Sequence, residues 1–149
     1  TQVGVFHDGK NIYLGFSCEE KEKEVLDVEN SNVWSNDGIE FLFAIPDSNG
    51  YFHGIIDATG RVYQAVEKNG GREEKTNQVL HCAVQGGKGY YSVEVQVPAQ
   101  FLDITTNLSG KKIGFNLMRN RLYKGDGQNF TLVPGKSYFV TDCYFLIFE

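Results

Sequence analysis

The sequence predicts an all-β fold, an antiparallel β-sandwich of jelly-roll-like arrangement with about nine strands. Residues 39–45 show why, because large apolar side chains occupy every second position, as in a half-buried strand. Clusters of turn-forming residues, such as Asp8-Gly9 and residues 46–50, recur between the apolar segments. The 149 residues are enough for one domain with a real core, so we expect residues 1–149 to form a single domain.

The elements follow in order along the chain. Each predicted strand has an alternating or apolar pattern, and a turn signal separates it from the next. The predicted strands are residues 2–6, 12–16, 39–45, 51–56, 61–66, 79–84, 91–97, 113–117 and 138–148.

Four connecting segments lack a strand pattern. Residues 19–24 read Glu-Glu-Lys-Glu-Lys-Glu, which predicts a solvated loop or one helical turn. Residues 67–78 are polar and glycine-rich and are expected to form a loop. Residues 99–104 follow Pro98 and are expected to form a short helical turn, and residues 123–137 a long loop.

Charge and hydropathy exclude several classes of partner. The formal net charge is -5, so the chain lacks the basic surface that nucleic acids or anionic membranes require. No apolar segment has the length of a membrane span, and no signal peptide is visible. The chain begins at Thr1 without a methionine. We therefore expect a processed or excised piece of a longer protein.

The three cysteines, Cys18, Cys82 and Cys143, form no CxxC pair and have no histidine pair at metal-site spacing. Each falls in a strand-like segment in phase with apolar neighbours. Buried thiols are therefore the favoured interpretation, and one disulfide bond stays open as an alternative.

The segment from Trp34 to Glu40 is the strongest indication of function. Trp34 precedes a strand, and Glu40 projects from the face of that strand opposite its large apolar residues. A flat aromatic ring beside fixed hydrogen-bond acceptors suits a neutral polyol, because a sugar ring offers C–H faces to stack and hydroxyls to bond.

Several segments resemble, in the same order, family 9 carbohydrate-binding modules and their DOMON-like relatives. Residues 34–40, Trp-Ser-Asn-Asp-Gly-Ile-Glu, resemble the family signature of a Trp, a small residue, two Asp, two variable positions and a Glu. The other similar segments are residues 5–14 (Val-Phe-His-Asp-Gly-Lys-Asn-Ile-Tyr-Leu), 60–63 (Gly-Arg-Val-Tyr), 89–98 (Gly-Tyr-Tyr-Ser-Val-Glu-Val-Gln-Val-Pro) and 113–119 (Ile-Gly-Phe-Asn-Leu-Met-Arg).

The resemblance implies a β-sandwich that binds sugar without catalysis, with calcium as a structural ion in some members. The chain departs from the family at three places. Asn36 stands where the family usually has Asp, and only one Trp is present, with Phe130 in the region of the second aromatic wall. The family's first strand, which carries its own Trp, is expected to be missing before Thr1.

We therefore predict a carbohydrate site in which Trp34 stacks on a sugar ring, while Glu40 accepts and Arg61 donates hydrogen bonds. The full set of predicted ligand-binding residues is Trp34, Glu40, Arg61, Asn116, Asn129 and Phe130. The expected partners are mono-, oligo- or polysaccharides and, in the parent chain, catalytic or anchoring domains. We expect the parent protein to be extracellular or periplasmic. No cofactor is expected, and the metal content is left open.

Structural alternatives remain for several residues of this region. Trp34 could pack under a loop, Glu40 and Arg61 could pair with each other, and Asp37 could cap the turn into the strand.

Three other functions remain as alternatives. A glycosidase would need a pair of carboxyl groups from Asp37, Glu40 and Glu94, but we expect no enzyme. A haem-binding domain would use Met118 with a His or Lys as axial ligands. A structural or interaction domain of a larger secreted protein would have Trp34 buried.

Overall fold

The computed structural model describes residues 1–20, 26, 28, 32–74, 79–123, 126–132 and 144–149. Two 3₁₀ helices, Val33–Ser35 and Ala99–Leu102, lie among the described strands. The strands are β1 (Gln2–His7), β2 (Asn11–Glu19), β3 (Gly38–Ala44), β4 (Tyr51–Asp57), β5 (Val62–Lys68), β6 (Gly71–Glu74), β7 (His81–Gly87), β8 (Tyr90–Pro98), β9 (Lys112–Tyr123), β10 (Asp126–Thr131) and β11 (Tyr144–Ile147).

The strands form two antiparallel sheets that pack face to face. The smaller sheet has the order β1-β2-β8-β7. The larger sheet has the order β10-β9-β3-β4-β5-β6, and β11 pairs with β9 beside β10. This arrangement confirms the predicted antiparallel β-sandwich. Among the described residues, no helix has the length and apolar character needed to cross a membrane.

The core lies between the two sheets and consists of every second residue of the central strands. Ile39, Phe41 and Phe43 of β3 are fully buried, as the alternation predicted. The Tyr91 hydroxyl is buried with them and donates a hydrogen bond to the Gly38 carbonyl at 3.2 Å, which links the two sheets. A buried phenol requires such a partner.

The end of β5 and the whole of β6 lie where the sequence predicted a loop, and the two strands form a hairpin. Asn69 and Gly70 both have positive φ, 51° and 75°, as a two-residue type I′ turn requires. Asn-Gly is the strongest short-range hairpin signal, but the polar composition of the flanking residues obscured it. Residues 75–78 of the predicted loop lie outside the described residues.

The last part of the sandwich also differs from the prediction. Residues 126–131 form β10, paired with β9, instead of part of a long loop. The predicted final strand, 138–148, is described only from residue 144, and β11 ends at Ile147. The described residues thus contain eleven strands, more than the predicted nine, because β6 and β10 have polar sequences without alternation.

The acidic segment that starts at Glu19 was predicted to be solvated, but Glu20 is buried. Its carboxylate accepts hydrogen bonds from Arg121 Nε at 2.5 Å and Arg121 Nη2 at 2.8 Å, and Arg119 Nη2 lies 3.4 Å away. A buried charge needs such partners. Residues 21–24 lie outside the described residues.

Both described cysteines are free thiols. Cys18 is buried in the core, as predicted, and Cys82 is partly buried and packs against the core. Cys143 lies outside the described residues.

Candidate functional site

The outer face of the larger sheet carries the residues of chemical interest. The pairing register places Glu40 of β3 beside Ile55 of β4 and Tyr63 of β5, with Asn120 of β9 on the same face. His53 lies diagonally across from Glu40, two residues along β4 from Ile55. Because side chains alternate along a strand, all of these point away from the core between the sheets.

Trp34 lies on this same face, held by the 3₁₀ helix Val33–Ser35. The Asn32 side chain caps that helix and accepts a hydrogen bond from the Trp34 amide at 3.2 Å. The indole is partly buried, with its centroid 5.2 Å from the His53 ring and 4.9 Å from the Tyr63 ring. Its neighbours are therefore aromatic and polar, which suits a ligand platform better than a core position.

An arginine covers these rings. The guanidinium carbon of Arg72 lies 4.8 Å from the centroid of Tyr63 and 5.8 Å from that of Trp34, within cation–π range. Arg72 also donates a hydrogen bond to the Tyr63 hydroxyl. We call Trp34, Tyr51, His53, Tyr63 and Arg72 the ring cluster.

Tyr51 completes the ring cluster on the side of β6. Its hydroxyl donates to Glu67 Oε2 at 2.7 Å. Burial, assisted by this hydrogen bond to the Glu67 carboxylate, raises the pKa of Tyr51 to about 12. The phenol therefore stays protonated and remains a donor over the whole physiological range.

Three buried polar side chains, those of Glu40, His53 and Asn120, form hydrogen bonds with one another beneath the rings of Trp34 and Tyr63. His53 Nε2 donates to Glu40 Oε1 at 2.6 Å, and Asn120 Nδ2 donates to Glu40 Oε2 at 3.2 Å. Glu40 is 1% exposed and His53 3%. The amide oxygen of Asn120 is buried and has no hydrogen-bond partner among the described residues. Such an orphan acceptor is uncommon in a folded protein and normally holds a water or ligand donor.

Arg61 does not reach Glu40, so the alternative that these two residues pair with each other was wrong. Its Nε donates to Asp57 Oδ2 at 2.7 Å, and its Nη2 donates to the carbonyl of Val28 at 2.8 Å. Burial alone would raise the pKa of Asp57, but hydrogen bonds from Thr59 and Arg61 outweigh it and hold that pKa below the ordinary value. Arg61 therefore fixes the β4–β5 turn at the margin of the face.

The other three predicted residues occupy different positions. Asn116 is fully buried, and its side-chain oxygen accepts the amide of the next residue. Asn129 of β10 is exposed and pairs with Asn120, so it borders the site. Phe130 is exposed but pairs with Arg119, which places its side chain toward the opposite face of the sheet from Trp34. The structure thus places Trp34 and Glu40 against the same residue, His53, and puts Asn129 on the same face two strands from β3.

Three buried carboxylates of this region, those of Asp37, Glu40 and Asp57, are not arranged as a calcium site. Asp37 Oδ1 accepts the amide of Leu122 at 3.1 Å, and the oxygens of Asp57 and Glu40 accept N–H groups as described above. Calcium takes six to eight oxygen ligands. Within the described ranges, no group of three or more His, Cys, Asp or Glu side chains is arranged to hold a metal. The three carboxylates therefore do not fit the ion.

Among the residues that the structure describes, the arrangement needed by a hydrolase or by a haem domain is not found. Asp37 and Glu40 are both buried and hydrogen-bonded, and Glu94 lies on β8 of the other sheet. Met118 is fully buried, and the histidine on the same face, His53, uses its Nε2 to bond Glu40.

The sequence did not reveal four members of the ring cluster: Tyr51, His53, Tyr63 and Arg72. Three of them could have been found by pairing the predicted strands, since a turn at residues 46–50 sets His53 opposite Leu42. Arg72 could not be found that way, because its strand was interpreted as part of a loop.

Comparisons with known proteins agree with this architecture. The model of the carbohydrate family 9 binding domain-like family matches residues 1–133. A comparison with curated proteins gives no match.

Three solved structures are similar in fold. The first is a Bacteroides uniformis ATCC 8492 protein whose suggested role is carbohydrate binding. Its TM-score is 0.76 at 16% identity, over 97% of this chain and 76% of that one. The second is a family 9 carbohydrate-binding module from Caldicellulosiruptor kristjanssonii in complex with glucose, with TM-score 0.63 at 12% identity, over 90% of this chain and 68% of that one. The third is a family 9 module from the same organism in complex with cellotriose, with TM-score 0.65 at 12% identity, over 90% and 66% of the two chains.

Proposed function

Because the family model matches most of its length, this chain belongs to the carbohydrate family 9 binding domain-like family, and we propose that it binds a saccharide at the ring cluster without cleaving it. Membership in a family of binding domains agrees with the prediction that the chain is not itself an enzyme. The observation that supports this location best is the position of Trp34, whose partly buried indole lies beside Tyr63 and His53 on one face.

The stacking surface in this proposal is the indole of Trp34 together with the Tyr63 ring. Aromatic rings supply large contact area at low cost in conformational entropy, which suits the C–H face of a pyranose. Arg72, with a side chain 45% exposed, and Glu67, at 32%, provide a donor and an acceptor at the rim of the ring cluster. The ligand would displace the Arg72 guanidinium from the ring faces and hydrogen-bond to it.

Glu40 and Arg61 act behind the ligand in this proposal. Glu40 is nearly inaccessible and accepts hydrogen bonds from both His53 and Asn120, so it holds the layer beneath Trp34 and Tyr63 in place. Arg61 holds the turn that carries β5 and Tyr63.

The ligand class we propose is a neutral gluco-configured sugar, as mono- or oligosaccharide. Support comes from two similar structures, which contain glucose and cellotriose. In the parent protein, we propose that the domain is extracellular or periplasmic and directs a catalytic or anchoring domain to its polysaccharide.

Calorimetric titration with glucose, cellobiose, cellotriose and xylotriose tests the proposal. We expect at least one of them to bind, and Trp34→Ala to weaken that binding by tenfold or more, equal to about 1.4 kcal/mol. Trp34→Phe should retain part of the affinity because a ring remains. Tyr144→Ala is the matched control, since Tyr144 is an aromatic residue 58% exposed on β11, outside the ring cluster. Equal affinity for Trp34→Ala and the parent would refute the proposed site.

A further inference from the structure

The outer face of the smaller sheet, opposite the ring cluster, is concave. A cavity of about 580 Å³ lies on it, and a second of about 350 Å³ continues from the first. The two cavities share Gly4, Gly15 and Glu94 as lining residues. We call this continuous depression the trough. The sandwich core separates it from the ring cluster.

The floor of the trough is low because two of the residues that form it are glycines. The register places Gly4 of β1, Gly15 of β2, Glu94 of β8 and Ala83 of β7 side by side across all four strands. A Cβ atom at Gly4 or Gly15 would meet nothing within 4 Å. Glycine weakens a strand interior. These two therefore leave space that packing within the domain does not require.

One wall of the trough is an aromatic platform. Phe6 and Tyr13 lie opposite each other on β1 and β2, with ring centroids 5.7 Å apart. The Tyr13 hydroxyl donates to Asp8 Oδ2 at 2.7 Å, and Asp8 also accepts from Asn11, so the ring is fixed in place. Phe6 is 66% exposed, an unusual position for a large apolar side chain in a strand.

Polar groups complete the trough. Gln96 and His81 continue the row of Phe6 and Tyr13 across β8 and β7. On the opposite rim, Gln2, Ser17 and Ser92 supply amide and hydroxyl groups. Neither Lys nor Arg is among the described residues that line the trough. Its chemistry therefore suits a neutral ligand rich in hydroxyls and disfavours an anionic one.

From this combination we propose a second carbohydrate site, in which an extended neutral oligosaccharide lies across the four strands. Three strand spacings give the trough a length of about 14 Å, enough for several sugar units. Phe6 and Tyr13 stack on one sugar ring, and Glu94 and Gln96 bond hydroxyls farther along. The trough is a shallow groove on an open sheet face, so it accepts internal stretches of a chain, whereas the ring cluster is a local site. Two sites on opposite faces would raise the avidity of the domain for a polymer.

Amide chemical shifts of the ¹⁵N-labelled domain test this inference. The probes are cellohexaose, xylohexaose, laminarihexaose and mannohexaose. We expect at least one of them to shift the amides of Gly4, Gly15, Ala83 and Gln96 in a saturable way. These shifts should persist in Trp34→Ala, because the two sites are separate.

Two variants probe the trough itself. Gly15→Leu should fill the floor of the trough and weaken the affinity obtained from the trough amide shifts at least tenfold. The fold should be kept, because Gly15 has an ordinary strand conformation and open space above it. Phe6→Ala should also weaken it, whereas Phe145→Ala, a residue 54% exposed on β11, should not.

The inference would be overturned if no hexasaccharide shifted the trough amides, or if Gly15→Leu left the shifts unchanged. Shifts of the same amides on simple concentration of the protein would reveal a contact between copies and would also overturn it. If the Trp34 indole N–H alone responds to sugar, this inference fails and the proposed function stands. If only the trough responds, the proposed site fails instead.

Discussion

The buried pair of Glu40 and His53 permits a quantitative prediction about what holds the ring cluster in place. His53→Phe keeps a ring of similar size but removes the donor that lies 2.6 Å from Glu40 Oε1. The Glu40 carboxylate, 1% exposed, would then keep Asn120 as its remaining described partner. Leaving a buried charge without its partner costs about 3–5 kcal/mol, so we expect a loss of unfolding free energy in that range.

The reciprocal change removes an acceptor instead of a donor. Glu40→Leu takes the acceptor away from both His53 Nε2 and Asn120 Nδ2, at about 1–3 kcal/mol for each buried donor. In the double variant only Asn120 loses its acceptor, because His53 and Glu40 are replaced together by apolar groups, and replacing such a pair is often close to neutral. The double-mutant cycle should therefore give a coupling energy of at least about 2 kcal/mol between the two positions.

Urea unfolding at pH 7 measures these quantities. Trp34 is the only tryptophan in the sequence, and its ring lies 5.2 Å from that of His53. Its fluorescence therefore reports the ring cluster, while far-UV circular dichroism reports the whole sandwich. The losses of unfolding free energy in the two single variants can be summed and compared with the loss in the double variant. Agreement within about 0.5 kcal/mol would show that the two residues are not coupled, and the reasoning would be refuted.

Two further predictions concern the frame of the site. The pKa of Asp57 is lowered in the folded state, so its stabilisation is complete above the unfolded value of about 3.9 and is lost as pH falls through the folded value. Asp57→Asn should destabilise the domain at pH 7, and its deficit against the parent should shrink below about pH 4 in acid titrations of unfolding; a pH-independent deficit would contradict this. Gly54→Ala should cost about 1–3 kcal/mol in denaturant unfolding, because its Cβ would lie 2.4 Å from Phe41 Cζ, while Gly4→Ala, with open space, should cost little; equal effects would contradict the packing account.

Local patterns in the sequence carry a large part of this fold. The alternation in β3 fixed which side chains enter the core and placed Glu40 on the opposite face, because the period of a strand is two residues. Patterns fail where a strand is polar, as in β10, since pairing with β9 and not burial holds it in place. The Asn69-Gly70 turn was a local signal hidden by its polar neighbours.

The site depends on contacts that no local pattern contains. Glu20 belongs to a charged segment, and only its meeting with Arg121, far along the chain, makes it a buried partner. Arg61 has the chemistry of a ligand donor, but Asp57, four residues earlier, engages it. Arg72 reaches Trp34 through the hairpin of β5 and β6. The residue types indicated which interactions were possible, while the register of the strands decided which residues contact one another.

The proposed role of the ring cluster is tested most directly by the indole N–H resonance of Trp34 during titration with cellotriose, glucose and xylotriose. We predict a saturable shift with at least one of these sugars, at the same concentration at which calorimetry detects heat of binding. Heat of binding without movement of that resonance would place the sugar elsewhere. The absence of binding by all three would contradict the proposed function itself.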